Sequence, residues 1–203
     1  MRWAHQNDLA ADLHVSWLGR DGLPEHLLGD HERWSALRRC LTHDDLDLRV
    51  RVAAALVLLY GQIPTRIVEL TTAHLSTDTR GDSFLRLHDR PVLLATLITE
   101  LIDRPGQRRS AALAPSTAPA RLFPGRRPGS HLDPGRLALL LRTAGFTVRS
   151  ARGAALVALA VDLPAPVLAD LLGIFIGAAA RWSALAARDH ADYLAARTAH
   201  PPR

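Results

Sequence analysis

"RVAAALVLLYGQIPTRIVEL", residues 51–70, is the stretch on which the fold turns. Its first ten residues are almost all apolar, and Asp47 stands where a helix cap belongs, so the pattern predicts a helix over 48–60. A helix apolar nearly all round is a central, buried one. Gly61-Gln62-Ile63-Pro64 then breaks the pattern, and Arg66 opens a new helix over about 65–70, with Glu69 one turn on. Taken by residue type alone, Arg66 serves equally well as the surface partner of Glu69 or as an anion holder at a helix mouth.

The rest of the chain bounds what such a pair of helices can belong to. The 203 residues are 48% hydrophobic, enough for one large packed domain or a domain plus an arm. Aromatics make up only 5%, so the core must be built from Leu, Ala and Val, which favours helices over sheets. There are 25 basic residues against 20 acids, and every basic one is arginine. Lysine-based acids, Schiff bases and phosphate loops are therefore excluded, while planar guanidinium forks suit phosphate and base edges. The lone Cys40 excludes a disulfide framework within the chain and points to a reducing cytoplasm. No apolar leader follows basic residues at the N-terminus, and the longest apolar run, 52–60, is too short to cross a bilayer, so no membrane is expected.

Charge is segregated. Residues 1–50 carry nine acids and six arginines, a net of −3. Residues 104–152 carry ten arginines and the single acid Asp133, a net of +9, which suits a polyanion. Along the chain, Asp30 is expected to cap a helix beginning "HERWSALRRCL", with Trp34, Leu37 and Leu41 on its apolar face. Residues 76–82 read as a loop, and "SFLRLHDRPVLLA" as one small β-hairpin. Helix returns over 92–102, and 104–121 reads as a Pro/Ala/Ser/Arg linker. Phe123 in "RLFPGRRPG" should anchor the chain on the core. Asp133 should cap a helix over 134–143, with further helices at 150–161 and 164–173 and a last helix or pair of helices over 177–197.

With these elements in place, the chain resembles the catalytic domain of the tyrosine recombinase (phage-integrase-like) family. "LVLLYGQIPTRIVELTTAHL" resembles the family's first box, a buried helix, a break, then Arg and a Glu-Leu pair. "RLFPGRR" resembles the segment before the second box, and "RSARGAALVALAVDLPAPVLADLLGI" the second box itself. The resemblance implies a mostly α fold with a small β-hairpin, a double-stranded DNA partner and a role in DNA integration or recombination. It also allows a homo-oligomer on the duplex, and it implies no metal and no cofactor. It divides the chain into a remnant of a core-binding domain and linker at 1–30, a catalytic-like domain at 31–197 and a tail at 198–203, as in an N-terminally truncated member.

The same resemblance implies site residues. Arg66 and Arg152 match the two family arginines that hold the scissile phosphate. Arg149 stands where the family places a proton-handling histidine, and a guanidinium cannot serve as a base near neutrality. Ile174 replaces the histidine after Leu-Leu-Gly, and Ser183 falls where the nucleophilic tyrosine is expected. Tyr193 is the nearest tyrosine, ten residues late, and so a weak nucleophile candidate. The family's hairpin lysine is missing, with Arg86 or Arg90 able to supply charge there. Strand cleavage needs an aligned nucleophile and a proton donor, so the expectation is a degenerate member without it. Arg126, Arg127 and Arg181 complete the expected DNA contacts.

Two other readings compete. Ala169, Gly173 and Ala179 are spaced as in a helix-turn-helix, whose recognition helix at 177–186 would offer Arg181, Trp182 and Ser183 to a groove. A purely helical interaction protein is the third, and it leaves the +9 segment unexplained. Trp3, Trp17 and Trp34 read as packing anchors, and His43, Asp44 and Asp45 as residues that cap or solvate a turn.

Overall fold

The apolar run forms the central helix over Leu48–Tyr60, labelled α2 here, in a computed structural model that describes residues 26–104 and 119–199, with side chains to 188. Asp47 caps it as expected, its carboxylate accepting from the Arg49 amide at 2.8 Å. Every residue from Val50 to Leu58 is buried. At the other end Gly61 takes φ +59°, and a Cβ there would sit 2.8 Å from Leu156, so the turn requires glycine twice over.

Helix α1, Asp30–Thr42, packs along α2. Its cap is Gly29, one residue earlier than expected, because the Glu32 side chain turns back to accept from the Gly29 amide at 3.0 Å. Asp30 becomes the first helical residue and accepts from Arg33 at 2.9 Å. The buried stripe runs Arg33, Leu37, Cys40, with Leu41 beside it partly buried. Trp34 lies a residue off that stripe, about 100° round the helix, and is 51% exposed, with the Arg33 guanidinium 4.7 Å from its ring centre. It is therefore not the packing anchor that its spacing suggested.

After α2 come the single turn α3, Pro64–Ile67, and a 3-10 turn, Thr72–His74. An antiparallel sheet follows in the order β1 (Leu75–Thr77), β2 (Ser83–Arg86), β3 (Pro91–Leu93). The expected hairpin is β2–β3, and β1 is an addition within the supposed loop. Three residues, two of them exposed, leave no alternation to read. Leu75 pairs with Leu85 and Leu85 with Val92, so the sheet turns one apolar row inward. The expected return to helix starts later, with α4 at Thr96–Asp103.

Beyond the undescribed 105–118, Leu122 and Phe123 are buried, and Leu122 donates to the Leu70 carbonyl at 2.9 Å. Asp133 caps α5, Pro134–Thr143, as expected. Then come α6 (Val148–Asp162), α7 (Ala165–Leu172) and α8 (Ile176–Ala199), the last a single helix. The main core surrounds α2, and a smaller one joins Leu156, Leu168, Leu172, Ala179 and Trp182. Tyr60, Leu87 and Leu171 touch both. Among the described residues no single helix is long and apolar enough to cross a membrane. Trp3, Trp17, most of the 1–30 segment and residues 105–118 of the linker lie outside the described residues.

Candidate nucleic-acid interface

The break after α2 leads into the turn that carries Arg66 and receives Arg152 from a distant helix. Arg66 leaves α3 exposed on one side of it. From α6, Arg152 reaches back and donates through Nε to the Gly61 carbonyl at 2.8 Å. The close approach of α6 is what the missing side chain at Gly61 permits, since Leu156 occupies the space a Cβ would need.

Neither arginine is neutralised by an acid among the described residues. Arg66 forms no ion pair with Glu69 or with any other acid among the described residues, although Glu69 follows one turn on. Arg152 is partly buried, and burial draws its pKa below the ordinary arginine value. It stays charged at any physiological pH. Apart from Nε, its N–H groups have no protein acceptor among the described residues. A partly desolvated guanidinium without a carboxylate is chemically able to take an anion from outside.

Beside Arg66 lies a cleft of about 60 Å³, edged by Gln62, Glu69 and His74 and walled by Leu70 and Leu87. Gln62 is buried and turns its amide nitrogen to the Tyr60 carbonyl at 3.4 Å. The expected help from a helix N-terminus is absent. Helix α3 is one turn long, and the amides of Arg66 and Ile67 already donate to Ile63, each at 3.0 Å.

The remaining expected residues are spread over the surface. Arg149 is exposed one turn before Arg152, on the same face of α6. Arg126 and Arg127 are exposed in a turn closed by the Gly125–Ser130 hydrogen bond at 2.9 Å. Arg181 is exposed on α8, and Arg86 and Arg90 are exposed at the hairpin.

The positions where the family pattern has polar chemistry are packed instead. Ile174 joins the smaller core. The Ser183 hydroxyl is buried without a hydrogen-bond partner, and Trp182 is 8% exposed. A groove-reading helix would need Trp182 and Ser183 on its free face, so the helix-turn-helix assignment of these side chains does not hold. Tyr193 falls within α8. Asp44 is not merely a solvated turn residue, for it pairs with both Arg51 and Arg104.

Two residues near the break escaped sequence reasoning. His74 lines the cleft, and its signal was the Thr71-x-x-His74 spacing of a capping box. His88 sits between β2 and β3, where its ring packs on Gly173 and lies 3.3 Å from the Asp170 carbonyl. Nothing local in the sequence announces that contact.

No protein-family model matches the chain, and no curated protein does. Solved structures do. The site-specific recombinase XerH, bound to its difH substrate before cleavage, superposes with a TM-score of 0.58 at 17% identity, over 79% of this chain and 50% of that one. The recombinase XerA gives 0.57 at 16%, over 99% of this chain and 72% of that one. The chain thus spans about half the length of the XerH chain. Among the described residues, eight helices around a small antiparallel sheet, in this order, give the chain the fold of a tyrosine recombinase catalytic domain.

Proposed function

We propose that this protein binds duplex DNA through its phosphate backbone, in a role related to recombination or integration, and does not cleave the strand. The observation that carries this reading is the Arg152 guanidinium: partly buried, without an acid, and held by Gly61 at the same break as the unpaired Arg66. A phosphodiester would accept from both forks, a charge-assisted geometry stronger than a neutral hydrogen bond. The exposed Arg126, Arg127, Arg149 and Arg181 would add contacts that carry no sequence information.

Cleavage needs more than a cradle. A tyrosine must attack phosphorus, and an acid must protonate the leaving oxygen. Ile174 has no proton to give and Arg149 does not release one near neutrality. Ser183 keeps its hydroxyl inside the helix packing.

The test has two arms. In a gel-retardation assay the double variant Arg66→Ala, Arg152→Ala should bind a duplex at least tenfold more weakly than the parent, on the scale of about 1.5–3 kcal/mol per hydrogen bond to a charged group. Equal retardation of the two would overturn the binding half. On a nicked suicide substrate no covalent adduct should form, and an adduct at Tyr193 would overturn the non-cleaving half.

A further inference from the structure

We infer that His74 is a second donor to the phosphate that Arg66 holds, its Nε2–H aimed into the cleft they share. This role rests on the phosphate-holding reading of Arg66 and specifies the site further. The geometry begins with the other ring nitrogen. Nδ1 of His74 accepts from the Thr71 amide at 3.1 Å and lies 2.8 Å from the Thr71 hydroxyl. An amide N–H can only donate, so Nδ1 is the bare nitrogen and the ring proton sits on Nε2. The backbone thus fixes both the tautomer and the ring orientation, as it does for histidines that present one nitrogen to a ligand.

With Nδ1 turned to Thr71, Nε2 lies on the opposite edge of a ring that lines the cleft beside Arg66. No acceptor for Nε2 occurs among the described residues. Gln62 does not compete for the role, since its amide nitrogen faces the Tyr60 carbonyl. Leu70 and Leu87 wall the cleft and thin the water around any bond formed there. A neutral N–H beside a guanidinium adds direction without adding charge, which suits one non-bridging oxygen of a backbone phosphate.

Two substitutions separate the donor from the cap. His74→Asn keeps an acceptor near the Nδ1 position and removes the Nε2 donor. His74→Gln places an amide N–H near the Nε2 position and gives up the cap. Duplex affinity, read by fluorescence anisotropy on a labelled oligonucleotide, should fall about five- to tenfold in His74→Asn and largely return in His74→Gln. Combined with Arg66→Ala, the asparagine change should weaken binding by less than it does alone, because the two share one phosphate. In the unsubstituted protein, the ¹⁵N–¹H signal of His74 Nε2 should shift when the duplex is added, which needs no variant to fold.

The failures are distinguishable. If Arg66→Ala binds like the parent, the phosphate-holding reading falls and this role falls with it. If Arg66→Ala weakens binding while His74→Asn does not, or both His74 variants weaken it equally, the role of His74 alone is overturned. A Nε2 signal unmoved by saturating duplex also overturns it.

Discussion

Two arginines on neighbouring core helices show opposite solutions to the same difficulty, a guanidinium taken out of water. Arg51, on α2, is 2% exposed and fully answered. Its Nε donates to the Cys40 carbonyl at 2.7 Å, one Nη to Leu41 at 2.6 Å, and the other pairs with Asp44. Among the described residues Arg152, on α6, meets one carbonyl and no acid. The first closes the seam between α1 and α2. The second leaves a charge facing the break at Gly61. Burial is common to both, and the difference between them is the counter-charge, on which the proposed ligand-holding role of Arg152 rests.

The comparison is sharpest under mutation. Arg51→Met should cost about 2–4 kcal/mol of stability in urea unfolding, because three carbonyl or carboxylate acceptors lose their donor. The folded fraction should still bind duplex normally. Arg152→Ala should do the reverse, weakening duplex binding about tenfold while changing stability by under about 1 kcal/mol. A variant pair that moved together in both assays would erase the distinction.

Acid should expose the Arg51 side of the contrast. Hydrogen bonds from Arg104 and Arg51 hold the Asp44 carboxyl below its ordinary value, and one from Arg49 does the same for Asp47. A depressed folded pKa stabilises above the unfolded value and the gain is lost as pH falls. Thermal stability should therefore decline below about pH 4, and Asp44→Asn should flatten that decline. A variant as acid-sensitive as the parent would show that Asp44 is not the group responsible.

Alkali and thiol reagents test the same seam. Burial pushes the Cys40 thiol up to about 12. The raised value means stability is lost as pH climbs from the unfolded thiol range, near 9, toward 12. At neutral pH Cys40 should react with a thiol reagent only as fast as the protein opens. Rapid labelling of the folded chain would contradict the packing of α1 on α2.

The smallest effect concerns the rim of the cleft. Glu69 stands there without an ion-pair partner among the described residues, and its carboxylate opposes any anion beside Arg66. Glu69→Gln should tighten duplex binding about two- to threefold at low salt, and less as salt screens it. A loss of affinity would mean that Glu69 orients Arg66 instead.

Sequence made parts of this legible where a signal is local. Asp47 and Asp133 announced their helices because a cap and an apolar period occupy adjacent residues. Phe123 stood out as an aromatic in an arginine-rich turn and is fully buried. Helix α1 was legible as an element, but its inward stripe was not, since Arg33 displaced the more apolar Trp34. Strand β1 was too short to show a period. At the site, Arg66 and Arg152 could be named from the resemblance, but the contact of Arg152 with Gly61 spans 91 positions of chain and depends on helix packing. His74 was invisible for a different reason, since its role depends on which ring nitrogen the Thr71 amide occupies.

The central claim is that the break at Gly61 holds a backbone phosphate between Arg66 and Arg152. The most direct test is the salt dependence of duplex affinity in the parent and in the Arg66→Ala, Arg152→Ala variant. If the two arginines neutralise one phosphate, the slope of log Kobs against log salt should become shallower by about 0.9 in the variant. Parallel slopes would contradict it.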